Sequence, residues 1–217
     1  MDIPILTDEL IFPPVTQTGP TGIVAIGGDV TPQRILLAYQ MGIFPWYEEN
    51  CPVYWHYPNP RFVLFPDKLR INKTVKSLIK KKCFEITVNQ SFSKVIENCK
   101  NLERTNQLGT WITNDLMKTL VQLHTMAVAH RVEVWPNEKL VGGLYGIKLG
   151  KIFFGESMFS KVSNASRFGF VHYVQQLQNE GIQIIDCQMY TDYLASFGAE
   201  MISAEKFTKK IHSFINK

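Results

Sequence analysis

Two stretches of this sequence put polar groups where apolar packing is otherwise dense. FFGESMFS, residues 153–160, carries Glu156 and Ser157 inside an aromatic run, and IQIIDCQ, residues 182–188, ends on Asp186 and Gln188. A carboxylate buried without a partner is costly in free energy or takes up a proton, so these segments either reach an edge or turn their polar groups to a ligand. Side chains alternate along a strand, which sets Ile184, Asp186 and Gln188 on one side and Ile185 and Cys187 on the other. Glu156 is expected to end an adjacent strand of the same sheet. Two carboxylates and an amide converging at strand ends form a polar floor able to hold an amine. Capping of the following helix, or bonds to loop backbone, is the other reading of Asp186 and Gln188.

The elements that must hold these residues follow from periodicity and punctuation. Near the start, Thr31 caps a helix, Pro32 suits its first turn, Gly42 ends it, and Ile35, Leu36 and Tyr39 form its apolar side. Phe44, Pro45, Trp46, Trp55, His56, Tyr57, Pro58 and Pro60 then read as an irregular, rigid surface. A small N-terminal domain over residues 1–62 and a second domain over 63–217 are expected. Within the second, a basic helix from Asn72, a short strand FEITV, a polar helix from Ser91 or Ser93, and a helix from Asn114 to Val128 precede a change of period. RVEVW, LVGGLYGIKLG and KIFFGESMF then read as three antiparallel strands joined at Pro136-Asn137 and Gly150-Lys151. Asn164 caps a helix carrying Phe170, Val174 and Leu177, the strand IQIIDCQ follows, and TDYLASFG makes a last short helix. This is an α+β arrangement with a mainly antiparallel sheet, in the order found in acyl-CoA N-acyltransferases. Those enzymes hold a pyrophosphate in a glycine-rich turn, and the corresponding SKVSNAS has no glycine, so coenzyme A is not expected as a donor.

Other features are weaker. Trp46, Trp55 and Trp111 lie in proline- or glycine-flanked segments, where rings can stack on bases for about 1–3 kcal/mol each or simply fill a groove between domains. Lys73, Lys76 and Lys80 share one helical face, either as solvated surface or as phosphate contacts. Gly142, Gly143 and Gly146 fail the spacing of a phosphate loop and fit close strand packing; His130, at a strand entrance, reads as structural. Cys51, Cys83, Cys99 and Cys187 lack paired spacing and the five histidines are scattered, so reduced thiols and no protein-bound metal are expected. With 45% hydrophobic and 19% charged residues the chain suits a folded protein, and its formal charge of +4 permits an RNA partner without demanding one. The first residues lack signal-peptide features and no apolar run is long enough to span a membrane, so a cytosolic protein with no membrane partner is expected.

GGDVTPQRILLAYQMGIFPW, PNPRFVLFP, GTWIT, AHRVEVW, LVGGLYG, FFGESMFS, NAS and IIDCQ, in this order, closely resemble the bacterial leucyl/phenylalanyl-tRNA–protein transferases over nearly the whole chain. The resemblance implies a monomeric enzyme with no cofactor, moving Leu or Phe from Leu-tRNA or Phe-tRNA to the N-terminal Arg or Lys of a protein and so marking it for the N-end rule pathway. It implies a reaction site lined by Glu156, Asp186 and Gln188, with Gln188 held by Asp186 and accepting from the amine. Trp46 and Trp111 would lie by the aminoacyl-adenosine end of the tRNA. Leu144, Met158, Phe170, Tyr173 and Ile185 would form the hollow for the donated side chain, and Lys73, Lys76 and Lys80 are the candidate tRNA contacts. The sequence departs from the family's usual pattern at His56, Tyr57, Asn59, Arg131, Arg167, Phe168, Gly169, Tyr193 and Phe197. A small-molecule N-acyltransferase and a non-catalytic RNA-binding module are the competing classes.

Overall fold

The computed structural model describes residues 2–102 and 112–215, so Trp111 lies outside the described residues. The N-terminal part holds a four-stranded sheet built from β1 (Ile5–Leu6), β2 (Ile23–Gly27), β3 (Phe44–Pro45) and β4 (Tyr54–His56), in the order β1-β2-β4-β3. Helix α1 (Pro32–Gln40) joins β2 to β3. The side chain of Thr31 accepts from the Arg34 amide, Pro32 occupies the first turn, and Gly42 leaves with φ 76°, as the cap and stop signals require.

A seven-stranded sheet forms the larger part, in the order β11-β5-β10-β9-β8-β7-β6. Its strands are β5 (Arg61–Leu64), β6 (Glu85–Val88), β7 (Ala129–Trp135), β8 (Gly142–Leu149), β9 (Ile152–Ser160), β10 (Ile184–Gln188) and β11 (Glu200–Ile202). Every neighbouring pair is antiparallel except β9 and β10. Helices α2 (Lys73–Lys80) and α5 (Ala165–Asn179) cover one face, where Leu64, Val132, Leu144, Phe153 and Ile185 meet Val171, Val174 and Leu177. On the other face Val63, Tyr145, Ile147, Phe154 and Ile184 share a core with α1, α3 (Phe92–Lys100), α4 (Asn114–Thr125) and α7 (Ala204–Phe214). The short α6 (Asp192–Ala195) follows β10. The expected α+β class with a mainly antiparallel sheet is what the chain adopts.

Several local expectations are corrected. The segment from Phe44 to Pro60 is only partly surface: Trp46 and Pro60 are exposed, but Trp55 is fully buried in β4, its indole donates to the Gly27 carbonyl at 2.9 Å, and Phe44 and Tyr57 are buried too. Strand β5 itself runs from Arg61 to Leu64, and its Val63 shares an apolar core with residues of the N-terminal sheet. Asn164 precedes α5 in the left-handed region with φ 65° and makes no side-chain cap; the Ser160 hydroxyl instead accepts from the Ser166 amide at 3.1 Å. Strand β11 and helix α7 lie beyond the last element the sequence pattern suggested. Arg131, one of the departures, is buried and donates from Nε to Glu133 at 2.7 Å; Glu133 also accepts the Gln90 and Ser91 amides ahead of α3. The other carboxyl oxygen of Glu133 accepts from Thr87. Among the described residues no helix is long and apolar enough to cross a membrane.

The glycines of β8 are packing residues. A Cβ at Gly143 would stand 2.7 Å from the Val132 carbonyl oxygen, and one at Gly146 would overlap the Phe154 carbonyl and the Phe153 ring. Gly146→Ala is therefore expected to cost about 1–3 kcal/mol of stability, read as a lower urea midpoint; an unchanged midpoint would show that β8 and β9 can separate there without penalty.

Candidate active site

The site lies where β9 and β10 part. Their parallel pairing runs Ile184 to Ile152, Ile185 to Phe153 and Asp186 to Phe154, and stops there. Strand β9 does not end at Glu156, contrary to the expectation; it continues to Ser160. Glu156 is the extra residue of a bulge against β8, where Tyr145 pairs with Ser157 and Gly146 with Gly155. A one-residue insertion reverses the facing of every side chain after it. Phe153 and Met158, five apart, accordingly pack on the α5 side, while Phe154 and Phe159 pack on the opposite side. The polar interruption in FFGESMF is thus a bulge that aims Glu156 and restores the apolar alternation behind it.

Strand β10 carries a second irregularity, between Asp186, which pairs with Val63, and Gln188, which pairs with Phe62. Gln188 takes φ 62°, a conformation a non-glycine residue holds only when its surroundings enforce it. Asp186 supplies part of that enforcement by accepting the Gln188 amide N–H at 3.0 Å. Asp186 is itself fully buried, and Arg61 from β5 grips it with Nε on Oδ1 at 2.8 Å and Nη2 on Oδ2 at 2.5 Å. So Asp186 holds the backbone of Gln188, and the side chain of Gln188 is held elsewhere: its Nε2 donates to Glu156 Oε1 at 2.8 Å. The Tyr39 hydroxyl, from α1, donates to the same oxygen at 2.5 Å.

Around this floor is a cavity of about 480 Å³. Leu144, Met158, Phe170 and Ile185 line it, with Phe153, Tyr193 and Leu194. Tyr173 does not; it stands behind Phe153, ring edge to ring at 5.1 Å. Trp46, 41% exposed, stands at the rim with Phe44 and Pro45. Lys73, Lys76 and Lys80 are exposed on α2, away from the cavity wall. Three departures from the family pattern pack on one another beside the cavity, with Tyr193 in its lining: the Arg167 guanidinium lies 4.6 Å from the Tyr193 ring centre and 5.2 Å from that of Phe197.

Tyr39 and Arg61 were not foreseen as site residues. Tyr39 reads in sequence as one more apolar position of a helix. Arg61 left a usable signal, because RFVLF and IIDCQ each place one charge in an apolar strand run, and two such charges bury best as a pair. Burial lifts the Glu156 carboxyl from 4.5 to about 7, with the Asp186 charge adding to it, against hydrogen bonds from Tyr39 and Gln188 and the pull of Arg61. Burial and the Glu156 charge together raise the Tyr39 phenol well above its usual value, which keeps it a donor. Burial likewise pushes the Cys187 thiol up, which removes it as a thiolate nucleophile. Among the described residues no group of three or more His, Cys, Asp or Glu side chains is placed to hold a metal.

Because the folded chain holds a proton on Glu156 that the unfolded chain releases, this carboxyl lowers stability as pH rises from 4.5 to about 7. Glu156→Gln cannot ionise, so it should raise Tm relative to the wild type at about pH 8, with the difference shrinking toward about pH 5. Calorimetry at both pH values checks this, and an equal difference at both would mean that Glu156 is ionised throughout.

Comparison with known proteins identifies the family. The model of the leucyl/phenylalanyl-tRNA protein transferase family matches residues 63–212, and the model of that family's N-terminal domain matches residues 28–59. A leucyl/phenylalanyl-tRNA–protein transferase of Flavobacterium johnsoniae is 47% identical over 208 residues, covering 96% of this chain and 98% of its own. One from Christiangramia forsetii is 50% identical over 200 residues, covering 91% and 94%. A solved GCN5-related N-acetyltransferase from Kribbella flavida is a remote likeness, at 8% identity and a TM-score of 0.40, over 77% of this chain and 60% of that one. By the family match and by identity along almost its full length, this chain belongs to the leucyl/phenylalanyl-tRNA protein transferase family.

Proposed function

We propose that this protein transfers Leu or Phe from aminoacyl-tRNA to the N-terminal Arg or Lys of an acceptor protein, forming a peptide bond and marking the acceptor for N-end rule degradation. It does so as a cytosolic monomer without a cofactor. The observation that carries the reading is a polar floor of Glu156, Gln188 and Asp186 at the inner end of a cavity whose walls are otherwise apolar. The aminoacyl ester is already activated, so the protein has to present a neutral amine to the ester carbon and exclude water.

One amide hydrogen of Gln188 is given to Glu156, which orients the side chain and leaves its amide oxygen as the end that accepts from the acceptor's α-amine. An α-amino group has a pKa of about 8, so its deprotonation near neutrality is a small task. The amine nitrogen attacks the ester carbon, the tetrahedral oxyanion collapses, and the C–O bond to the tRNA ribose breaks. The amine loses its proton and the ribose oxygen gains one. Glu156 lies in the hydrogen-bond chain next to Gln188, and the carboxyl held near neutrality there can take up and return that proton. Leu144, Met158, Phe170 and Ile185 supply a hollow for an apolar donor side chain, with Tyr173 backing the Phe153 wall. Trp46 at the rim is placed for the adenosine, as the resemblance implies for Trp111 too. Lys73, Lys76 and Lys80 supply phosphate contacts farther along the tRNA.

Product formation from Leu-, Phe-, Met- and Asp-tRNA, each with peptides beginning in Arg or Glu, tests this. A hydrophobic pocket separates apolar side chains by only about 1–3 kcal/mol, so Leu, Phe and Met should be graded and Asp refused, with the Arg peptide preferred. Efficient transfer from Asp-tRNA would sink the apolar hollow. Gln188→Ala should lower turnover by about 10²-fold or more while the affinity for aminoacyl-tRNA stays the same; wild-type turnover in that variant would remove Gln188 from the chemistry.

A further inference from the structure

Arg61 is fully buried, yet it does not line the cavity. Its Nε and Nη2 hold both oxygens of Asp186, while Nη1 has no hydrogen-bond acceptor among the described residues. The guanidinium as a whole is surrounded by aromatic rings. The guanidinium carbon lies 4.6 Å from the Phe207 ring centre, 4.8 Å from that of Phe44 and 5.8 Å from that of Tyr57. Phe44 and Tyr57 belong to the N-terminal part of the chain and Phe207 to α7, at the opposite end of the sequence. Tyr57 is tied to α7 as well: its hydroxyl shares a hydrogen bond with Thr208 at 2.6 Å and donates to the Ala204 carbonyl at 3.1 Å.

The next links lead inward. Asp186, so gripped, accepts the Gln188 amide and supports the left-handed φ of 62° that turns this residue. Gln188 then reaches Glu156 at 2.8 Å. A glutamine in that conformation gains nothing locally from it and relaxes if its support is removed. The support is a rigid planar fork whose two prongs match the carboxylate, which a lysine ammonium cannot reproduce.

We propose that Arg61 is a positioning residue for the transfer reaction, and that α7, through Phe207 on the far side of the guanidinium, is part of the machinery that sets Gln188. The inference rests on the functional reading above and adds to it a second tier, Arg61 and Phe207, that does not line the cavity. The link acts on geometry at the reacting amine rather than on substrate binding. Its mark is therefore a fall in kcat with KM for aminoacyl-tRNA unchanged.

The test compares wild type, Arg61→Met, Arg61→Lys, Phe207→Leu and Ile211→Ala, using Phe-tRNA and an Arg-started peptide at a temperature well below every variant's Tm. Arg61→Met should lower kcat by about 10²-fold and Arg61→Lys should recover part of it. Phe207→Leu, which keeps an apolar side chain but removes the ring from Arg61, should lower kcat several-fold at constant KM. Ile211 is buried on the same helix in the same core but sets no ring on Arg61, so Ile211→Ala should lower Tm and leave kcat in place. If Arg61→Met fails to fold, the Phe207→Leu and Ile211→Ala pair decides. Unchanged kcat in Phe207→Leu, or an equal loss in Ile211→Ala, would overturn the positioning role. Absence of product from the wild type would overturn the functional reading itself, so the two failures are told apart.

Discussion

A carboxylate removed from water beneath an apolar sheet needs a cation with it, and Asp186 has one in Arg61, from the antiparallel neighbour strand. Such a pair adds little to net stability, because desolvating both ions offsets most of their attraction. What it does impose is intolerance of change, since either partner left alone becomes an uncompensated buried charge. The arrangement is therefore better understood as a fixed reference point than as a source of stability. From it extend the amide of Gln188, the turn of β10 away from β9, and the direction of the glutamine side chain. The aromatic box around the guanidinium extends the same reference point to both ends of the chain.

Opening a cavity inside a sheet creates a problem of its own, because strands that stop pairing leave backbone groups without partners. Here the parting of β9 and β10 coincides with two irregularities that put the unpaired residues to use. The bulge at Glu156 keeps β9 paired to β8 while turning a carboxylate inward, and the irregularity at Cys187 lets β10 stay paired to β5 up to Gln188. Each strand thus keeps its ladder on the side away from the gap. Side chains fill the gap with apolar walls and one polar end, and the low polarity of those walls raises the Glu156 carboxyl to about 7.

Much of this was legible in the sequence, and what was not shares a physical cause. The cap at Thr31, the helix starting from Asn72, the helical spacing of Leu116, Leu120 and Leu123, and the three meander strands are local signals, and local geometry obeyed them. Glu156, Asp186 and Gln188 stood out because polar residues in apolar runs have few structural excuses. Their partnership was harder to read: Gln188 and Glu156 are 32 positions apart, Arg61 and Asp186 are 125 apart, and Tyr39 and Glu156 are 117 apart. Nothing in periodicity encodes which distant strand will be a neighbour. A bulge also imitates a strand end in sequence, because both interrupt alternation, and only the partner strand tells them apart. Trp55 misled for a related reason, since its proline-rich surroundings resemble loop while its indole is held by a carbonyl 28 residues away.

The bond between Tyr57 and Thr208 spans 151 positions of sequence. A nascent chain is made from its N-terminus at about 5–20 residues per second, so the rings of Phe44 and Tyr57 and the charge of Arg61 exist for many seconds before the helix that completes their surroundings. During that interval the Arg61 guanidinium has no Phe207 to cover it, and a product halted before α7 lacks one wall of the box around Arg61. The surroundings of Arg61 are thus drawn from both ends of the chain and are complete only once α7 has been made.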